Sequence, residues 1–155
     1  LKYGKPRAIV EEEMNKRART LGLSKTHFGN ETGLDKDTIE TGAESTARET
    51  ALFFADALAR FPDIFTATKW EDLSLSSANG ELRDARNTNH EVGKLPLLLA
   101  SKTGFTDLAG GNLVVAFDAD FGYPIVVVVF GSTETARFND VEQLVWATLR
   151  YLSGK

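Results

Sequence analysis

The sequence contains no cysteine. Disulfides, thiol nucleophiles and thiolate metal sites are therefore excluded. The absence does not decide between compartments, because disulfide-free exported proteins and many cytosolic proteins share it. Long apolar runs are missing too. The longest, Ile125 to Phe130, falls far short of the roughly 20 residues that a helix needs to cross about 30 Å of hydrocarbon. Positive charge is not in excess: a formal net charge of −4 leaves no basic footprint, so nucleic acid is not an expected partner. Histidine is scarce, with His27 and His90 set far apart. Neither points to a metal site, and hydrogen bonding in loops is the simpler use for both. No signal peptide is recognisable. The chain opens at Leu1-Lys2-Tyr3-Gly4-Lys5-Pro6 without an initiator methionine, which reads as a processed or excised piece of a longer chain.

What is present is ordinary for a globular protein: 155 residues, 42% hydrophobic and 26% charged. That length fits one domain, or most of one, able to bury about two-thirds of its unfolded surface. Ile9, Val10, Met14, Ala18 and Leu21 recur at helical spacing and predict a helix over 7–21, stopped by Gly22. The run Glu11 to Glu13 falls on its solvated face. Residues 23–41, rich in Gly, Asn, Thr and Asp, read as an irregular connection. Thr46-Ala47-Arg48-Glu49 is a capping-box pattern that opens a second helix, which ends before Pro62. Leu73 to Ser77 and Glu81 to Arg86 read as a hairpin around Asn79-Gly80. The last third changes character. Strands are predicted over 97–103, 113–119 and 124–130, with Asp120-Phe121-Gly122 as a turn. A closing helix follows over 137–152, with Val141, Leu144, Val145, Leu149 and Leu152 as its apolar stripe. A helical region with a hairpin (about 7–95) followed by an antiparallel sheet and a helix (about 96–155) makes an α+β chain.

The most informative segment is Lys102-Thr103-Gly104. Pro96-Leu97-Leu98-Leu99-Ala100 leads into it and Phe105-Thr106-Asp107-Leu108-Ala109-Gly110-Gly111-Asn112 follows. A cation, a hydroxyl and a residue without a side chain at the end of a strand suit a carboxylate-bearing acyl substrate.

Taken in order, several segments resemble those of the low-molecular-mass penicillin-binding proteins, the serine D-alanyl-D-alanine carboxypeptidases. They are Met14-Asn15 with Leu21-Gly22-Leu23, Thr26-His27-Phe28-Gly29-Asn30 with Gly33-Leu34, and Ser45-Thr46. Phe61-Pro62, Asn87-Thr88-Asn89, Lys102-Thr103-Gly104-Phe105-Thr106 with Ala109-Gly110 and Asn112-Leu113-Val114, and finally Arg137 with Asp140, complete the series. The family's site has three elements: Ser-x-x-Lys with the nucleophile, Ser-x-Asn, and Lys-Thr-Gly on a sheet strand. Only the third is found. No serine here is followed three positions later by lysine. Ser77-Ala78-Asn79 spells the second element but falls at the predicted turn. Thr66-Ala67-Thr68-Lys69 has the spacing of the first with a threonine and reads as a loop or helix end.

The resemblance implies the C-terminal part of a DD-peptidase/β-lactamase-like fold, with the first two motifs upstream of residue 1. It implies a serine-type, penicillin-sensitive D-Ala-D-Ala carboxypeptidase of peptidoglycan metabolism, working through an acyl-enzyme outside the cytoplasm. Expected partners are a peptidoglycan stem peptide ending in D-Ala-D-Ala, β-lactam antibiotics, and the N-terminal part of the same protein with its nucleophile. No metal or organic cofactor is expected. A D,D-endopeptidase, a serine β-lactamase, and a non-catalytic cell-wall-binding or structural fragment are the alternatives.

The resemblance also distributes roles. Lys102 supplies positive field and helps a proton reach the leaving amine, Thr103 hydrogen-bonds the carboxylate, and Gly104 admits the substrate backbone. The backbone N–H of Phe105 is one oxyanion donor; the other belongs to the missing serine. Arg137 faces the substrate carboxylate, although the residues alone equally fit a surface ion pair with Glu134 or Asp140. Thr88 stands where some relatives carry an arginine. Without its N-terminal part, the chain is expected to leave apolar sheet surface and a strand edge uncovered.

Overall fold

The computed structural model describes residues 6–120 and 122–154. Residues 1–5, Lys155 and Phe121, the centre of one predicted turn, lie outside the described residues. Helix α1 (Arg7–Thr20) ends where Gly22 turns left-handed at φ 73°. Of its predicted apolar stripe only Ala18 is buried. Polar bonds hold it instead. Arg17 grips both carboxylate oxygens of Asp56 at 2.7 and 2.6 Å. The Asn15 side chain brackets Phe28, accepting from its N–H at 2.9 Å and donating to its carbonyl at 2.7 Å. The connection read as irregular contains one small ladder, β1 (His27–Phe28) against β2 (Ala43–Glu44).

Helix α2 (Ala47–Arg60) starts on Thr46, whose hydroxyl accepts the Glu49 N–H at 3.2 Å. Glu49 does not complete the capping box. The residue is 7% exposed, and its carboxylate accepts the Lys25 N–H on both oxygens at 3.0 Å and the Thr26 hydroxyl at 2.6 Å, tying the loop to the helix. Pro62 ends α2 as expected and also opens a short helix, α3 (Pro62–Thr66), because its missing N–H costs nothing at a first helical position. A 3-10 turn, Ala67–Lys69, follows. The predicted hairpin forms as β3 (Asp72–Ser76) and β4 (Leu82–Arg86), with Gly80 at φ 80° in its turn.

The main sheet is antiparallel, in order β5-β6-β7: β5 (Leu98–Thr106), β6 (Gly110–Asp118) and β7 (Pro124–Ser132). Helix α4 (Ala136–Leu152) packs on one face over Leu113, Val115, Phe117 and Val127 through Phe138, Val141 and Val145. On the other face Phe54, Leu58 and Phe65, from α2 and α3, cover Ala100, Val114, Ala116, Val126 and Val128. The near-continuous apolar run of β7 follows, since Ile125, Val127 and Val129 pack on the α4 side while Val126 and Val128 pack on the α2 side.

β5 and β6 reach further than the sequence pattern indicates, pairing Phe105 with Gly111 and Thr106 with Gly110. Lys102-Thr103-Gly104 therefore lies within a strand, not at its end. Gly111 makes this possible: a Cβ there would stand 2.0 Å from the Thr133 carbonyl. The bare glycine lets the segment entering α4 rest on β6. The outer edges of β5 and β7 have no strand partner among the described residues, and Phe105, Phe130 and Tyr123 are exposed.

Glu49 supplies a pH test. The Thr26 hydroxyl first, and then the Lys25 N–H, hold its carboxyl below the ordinary glutamate value, outweighing desolvation. A lowered folded value means that its stabilisation is complete above the unfolded value of about 4.3 and is lost as pH falls through the folded one. Glu49→Gln is expected to lower the melting temperature at pH 7, with the gap to wild type closing below about pH 4. A gap independent of pH would contradict this role.

Candidate active site

The geometry of the Lys-Thr-Gly segment follows from its ladder. Ser101 pairs with Val115, Lys102 with Val114, Thr103 with Leu113 and Gly104 with Asn112. Adjacent strand residues leave opposite faces. Lys102 thus shares the face covered by α2, and Thr103 the face covered by α4. They can serve one ligand only from the edge of the sheet, and β5 is an edge strand.

The backbone alternates as well. Ser101 turns its N–H away from β6, to the Thr68 hydroxyl at 3.0 Å, and its own hydroxyl donates to the Thr68 carbonyl at 3.0 Å. The 3-10 turn therefore covers the edge up to residue 101. In an antiparallel ladder the residues two and four positions on present their N–H and C=O outward as well. The Lys102 ammonium donates to the Thr103 carbonyl, which agrees with that direction. Past Thr68 the edge opens, and the Phe105 amide faces out of it.

Lys102 and Gly104 are exposed, as is Phe105. Thr103 is 9% exposed, and its hydroxyl lies 2.6 Å from that of Thr88. The sequence marks Thr88 only as standing where some relatives carry an arginine; the structure places its hydroxyl directly on that of Thr103. Asn87 holds that loop by donating to the carbonyls of Thr68 and Trp70, both at 2.9 Å. Arg137 is not at the surface: it is 7% exposed, and its Nη1 donates to the Gly104 carbonyl at 2.5 Å. The ion pair with Glu134 or Asp140 is not formed; Asp140 accepts the Ser132 hydroxyl at 2.6 Å. His27 pairs with Glu44 in the small β1–β2 ladder, and His90 stacks on Phe138 with ring centroids 5.1 Å apart.

The two partial motifs resolve plainly. Ser77 is in the hairpin turn, accepting the Gly80 N–H on its carbonyl at 2.9 Å. The Thr66 hydroxyl donates to the Pro62 carbonyl at 3.1 Å, an ordinary helix-end bond. A cavity of 490 Å³ adjoins the motif on the Lys102 face, lined by Phe28, Phe53, Ala109, Asn112 and Phe130 among others. None of the motif residues lines it, and its walls are mostly apolar. Its chemistry is that of a seat for side chains, whereas the polar groups gather at the β5 edge.

The family model for D-alanyl-D-alanine carboxypeptidases matches residues 4–134. This chain belongs to that family. No curated protein matches it. Among solved structures, a penicillin-binding protein from Listeria monocytogenes, in its ampicillin-bound form, is similar at 28% identity and a TM-score of 0.75. The match covers 91% of this chain and 55% of that one. A mutant Streptomyces DD-transpeptidase is similar at 25% identity and a TM-score of 0.72, over 97% of this chain and 60% of that one. A Mycobacterium tuberculosis D-alanyl-D-alanine carboxypeptidase shares the fold at 24% identity and a TM-score of 0.72, over 92% of this chain and 54% of that one. The chain thus spans little more than half the length of the structures it matches. As a carboxypeptidase-family chain it has the expected α+β architecture, with the sheet and closing helix where the sequence put them.

The Thr88–Thr103 bond is open to a direct test. Thr88→Val keeps the shape and removes the hydroxyl, leaving that of Thr103 without its partner. It is expected to cost about 1 kcal/mol in denaturant unfolding, with Thr88→Ser near neutral. Equal stability of the valine variant and wild type would show that the bond contributes nothing.

Proposed function

We propose that this chain is the sheet-bearing part of a serine-type D-Ala-D-Ala carboxypeptidase acting on peptidoglycan stem peptides outside the cytoplasm. One observation carries the reading: an exposed lysine and an outward-facing amide stand together on the uncovered stretch of β5, in a chain of the carboxypeptidase family. The ampicillin- and cefotaxime-bound forms of the Listeria relative support β-lactams as ligands of this protein as well.

The nucleophile comes from a segment outside these residues, and the apolar cavity beside Asn112 and Phe130 suits its seating. In this reading the serine oxygen bonds to the carbonyl carbon of the penultimate D-alanine, and the carbonyl π pair moves onto oxygen. The Phe105 N–H stabilises that oxyanion. The C–N bond then breaks, the terminal D-alanine leaves as its amine with the proton taken from the serine, and water releases the acyl group. Lys102 draws in the terminal carboxylate and eases the proton's passage to the leaving nitrogen. The Thr103 hydroxyl donates to the carboxylate, and the proton of Thr88 can satisfy the Thr103 oxygen at the same time. Gly104 leaves open the space through which the substrate backbone approaches.

A protein carrying both this chain and the nucleophile is expected to bind a fluorescent penicillin covalently and to release D-alanine from a D-Ala-D-Ala peptide. Lys102→Ala should lower acylation by at least about tenfold, the equivalent of one hydrogen bond to a charged group. A protein inert in both assays would favour the non-catalytic wall-binding reading, and an unchanged rate in the variant would remove Lys102 from the chemistry.

A further inference from the structure

Behind the motif, the opening turn of α4 places a charged group that the substrate reading leaves without work. Arg137 is 7% exposed, and it takes part in none of the ion pairs among the described residues. Its Nε is buried without a hydrogen-bond partner. Its guanidinium carbon lies 4.8 Å from the centroid of the Phe138 ring. An uncompensated buried charge is destabilising, so its single hydrogen bond to the motif is significant. That bond runs from Nη1 to the Gly104 carbonyl.

The Gly104 carbonyl and the Phe105 N–H are two ends of one planar trans peptide group, so they point in opposite directions. A cation fixed on the carbonyl orients the amide at the other end. It also polarises the group, which strengthens the amide as a donor. The ladder independently turns this same N–H out of the free edge. Gly111 completes the arrangement. Only a glycine there allows Thr133 to lie against β6, and the Thr133 carbonyl and hydroxyl accept the N–H groups of Arg137 and Ala136 at 3.3 and 2.9 Å.

We propose that Arg137 is a positioning residue, which holds the Gly104–Phe105 peptide so that the Phe105 amide meets the oxyanion of the acyl-transfer step. The inference rests on the acyl-transfer reading above. It replaces the expectation that Arg137 faces the substrate carboxylate, because the side chain approaches the strand from the covered face and engages the backbone.

The two roles separate on a matched pair of acyl donors, one ending in D-alanine and the other in D-alaninamide. Arg137→Met and Arg137→Lys are compared in the protein that contains the nucleophile, with melting temperatures to certify folding. If Arg137 orients the amide, Arg137→Met lowers kcat/KM by tenfold or more, on the order of losing part of an oxyanion donor. The factor is the same for both donors, the fall lies in the acylation rate and not in pre-covalent binding, and Arg137→Lys recovers part of it. If the methionine variant does not fold, the lysine variant carries the comparison alone, with an equal, smaller loss on both donors expected. A loss confined to the free-carboxylate donor, or no loss in a folded variant, overturns the proposal. A wild-type protein inert on both donors is a different result: it removes the acyl-transfer reading and this inference with it.

Discussion

The register between β5 and β6 is the constraint on which the rest depends. Thr103 opposite Leu113 and Gly104 opposite Asn112 place Lys102 on one face and Thr103 on the other. The same register turns the Phe105 amide away from the sheet. A slip of one residue would exchange the faces and turn that amide into the ladder. The register is held because Leu113, Val115 and Phe117 must meet Val141 and Val145 of α4, while Val114 and Ala116 must meet Phe54 of α2. Burial on both sides leaves no alternative pairing that keeps both cores.

Two further elements act on the strand from either side. The 3-10 turn covers the upper part of the β5 edge through Thr68, so the open stretch begins just where the lysine stands. The start of α4 closes over the other face, where the Gly110–Gly111 pair admits the backbone at Ser132 and Thr133. The candidate site is thus a short window in an edge strand. Thr68 and Asn87 hold one side of that window, Arg137 its back.

Much of this was legible in the sequence. The helix opening at Thr46 and ending before Pro62, the closing helix over 137–152, the hairpin at Asn79-Gly80 and the final strands follow from periodicity and turn chemistry. The Lys102-Thr103-Gly104 segment stands out through its flanks, an apolar run leading into it and Phe105-Thr106-Asp107-Leu108-Ala109-Gly110 following. What was not legible depends on contacts distant in the chain. Helix α1 shows an apolar stripe, yet it is fastened by Arg17 to Asp56 and Asn15 to Phe28. Spacing along one helix reveals nothing of those bonds. Thr88 finds Thr103 only because the hairpin brings its loop to the strand. For Arg137 the sequence left two readings open, a group facing the substrate carboxylate or a surface ion pair; its burial against β5 depends on the close approach that Gly111 permits. The extension of β5 past Gly104 has the same origin, since glycine normally weakens a strand and here permits close packing.

The central claim is that the open edge of β5 forms one wall of an acyl-transfer cleft. A crystal structure of the nucleophile-containing protein acylated by a penicillin tests it most directly. The account predicts the acyl carbonyl oxygen within about 3 Å of the Phe105 amide nitrogen, in the range expected of an oxyanion donor, with the drug's carboxylate beside Lys102 and Thr103. An acyl group seated away from that edge, or an edge occupied by another strand of the protein, would contradict it.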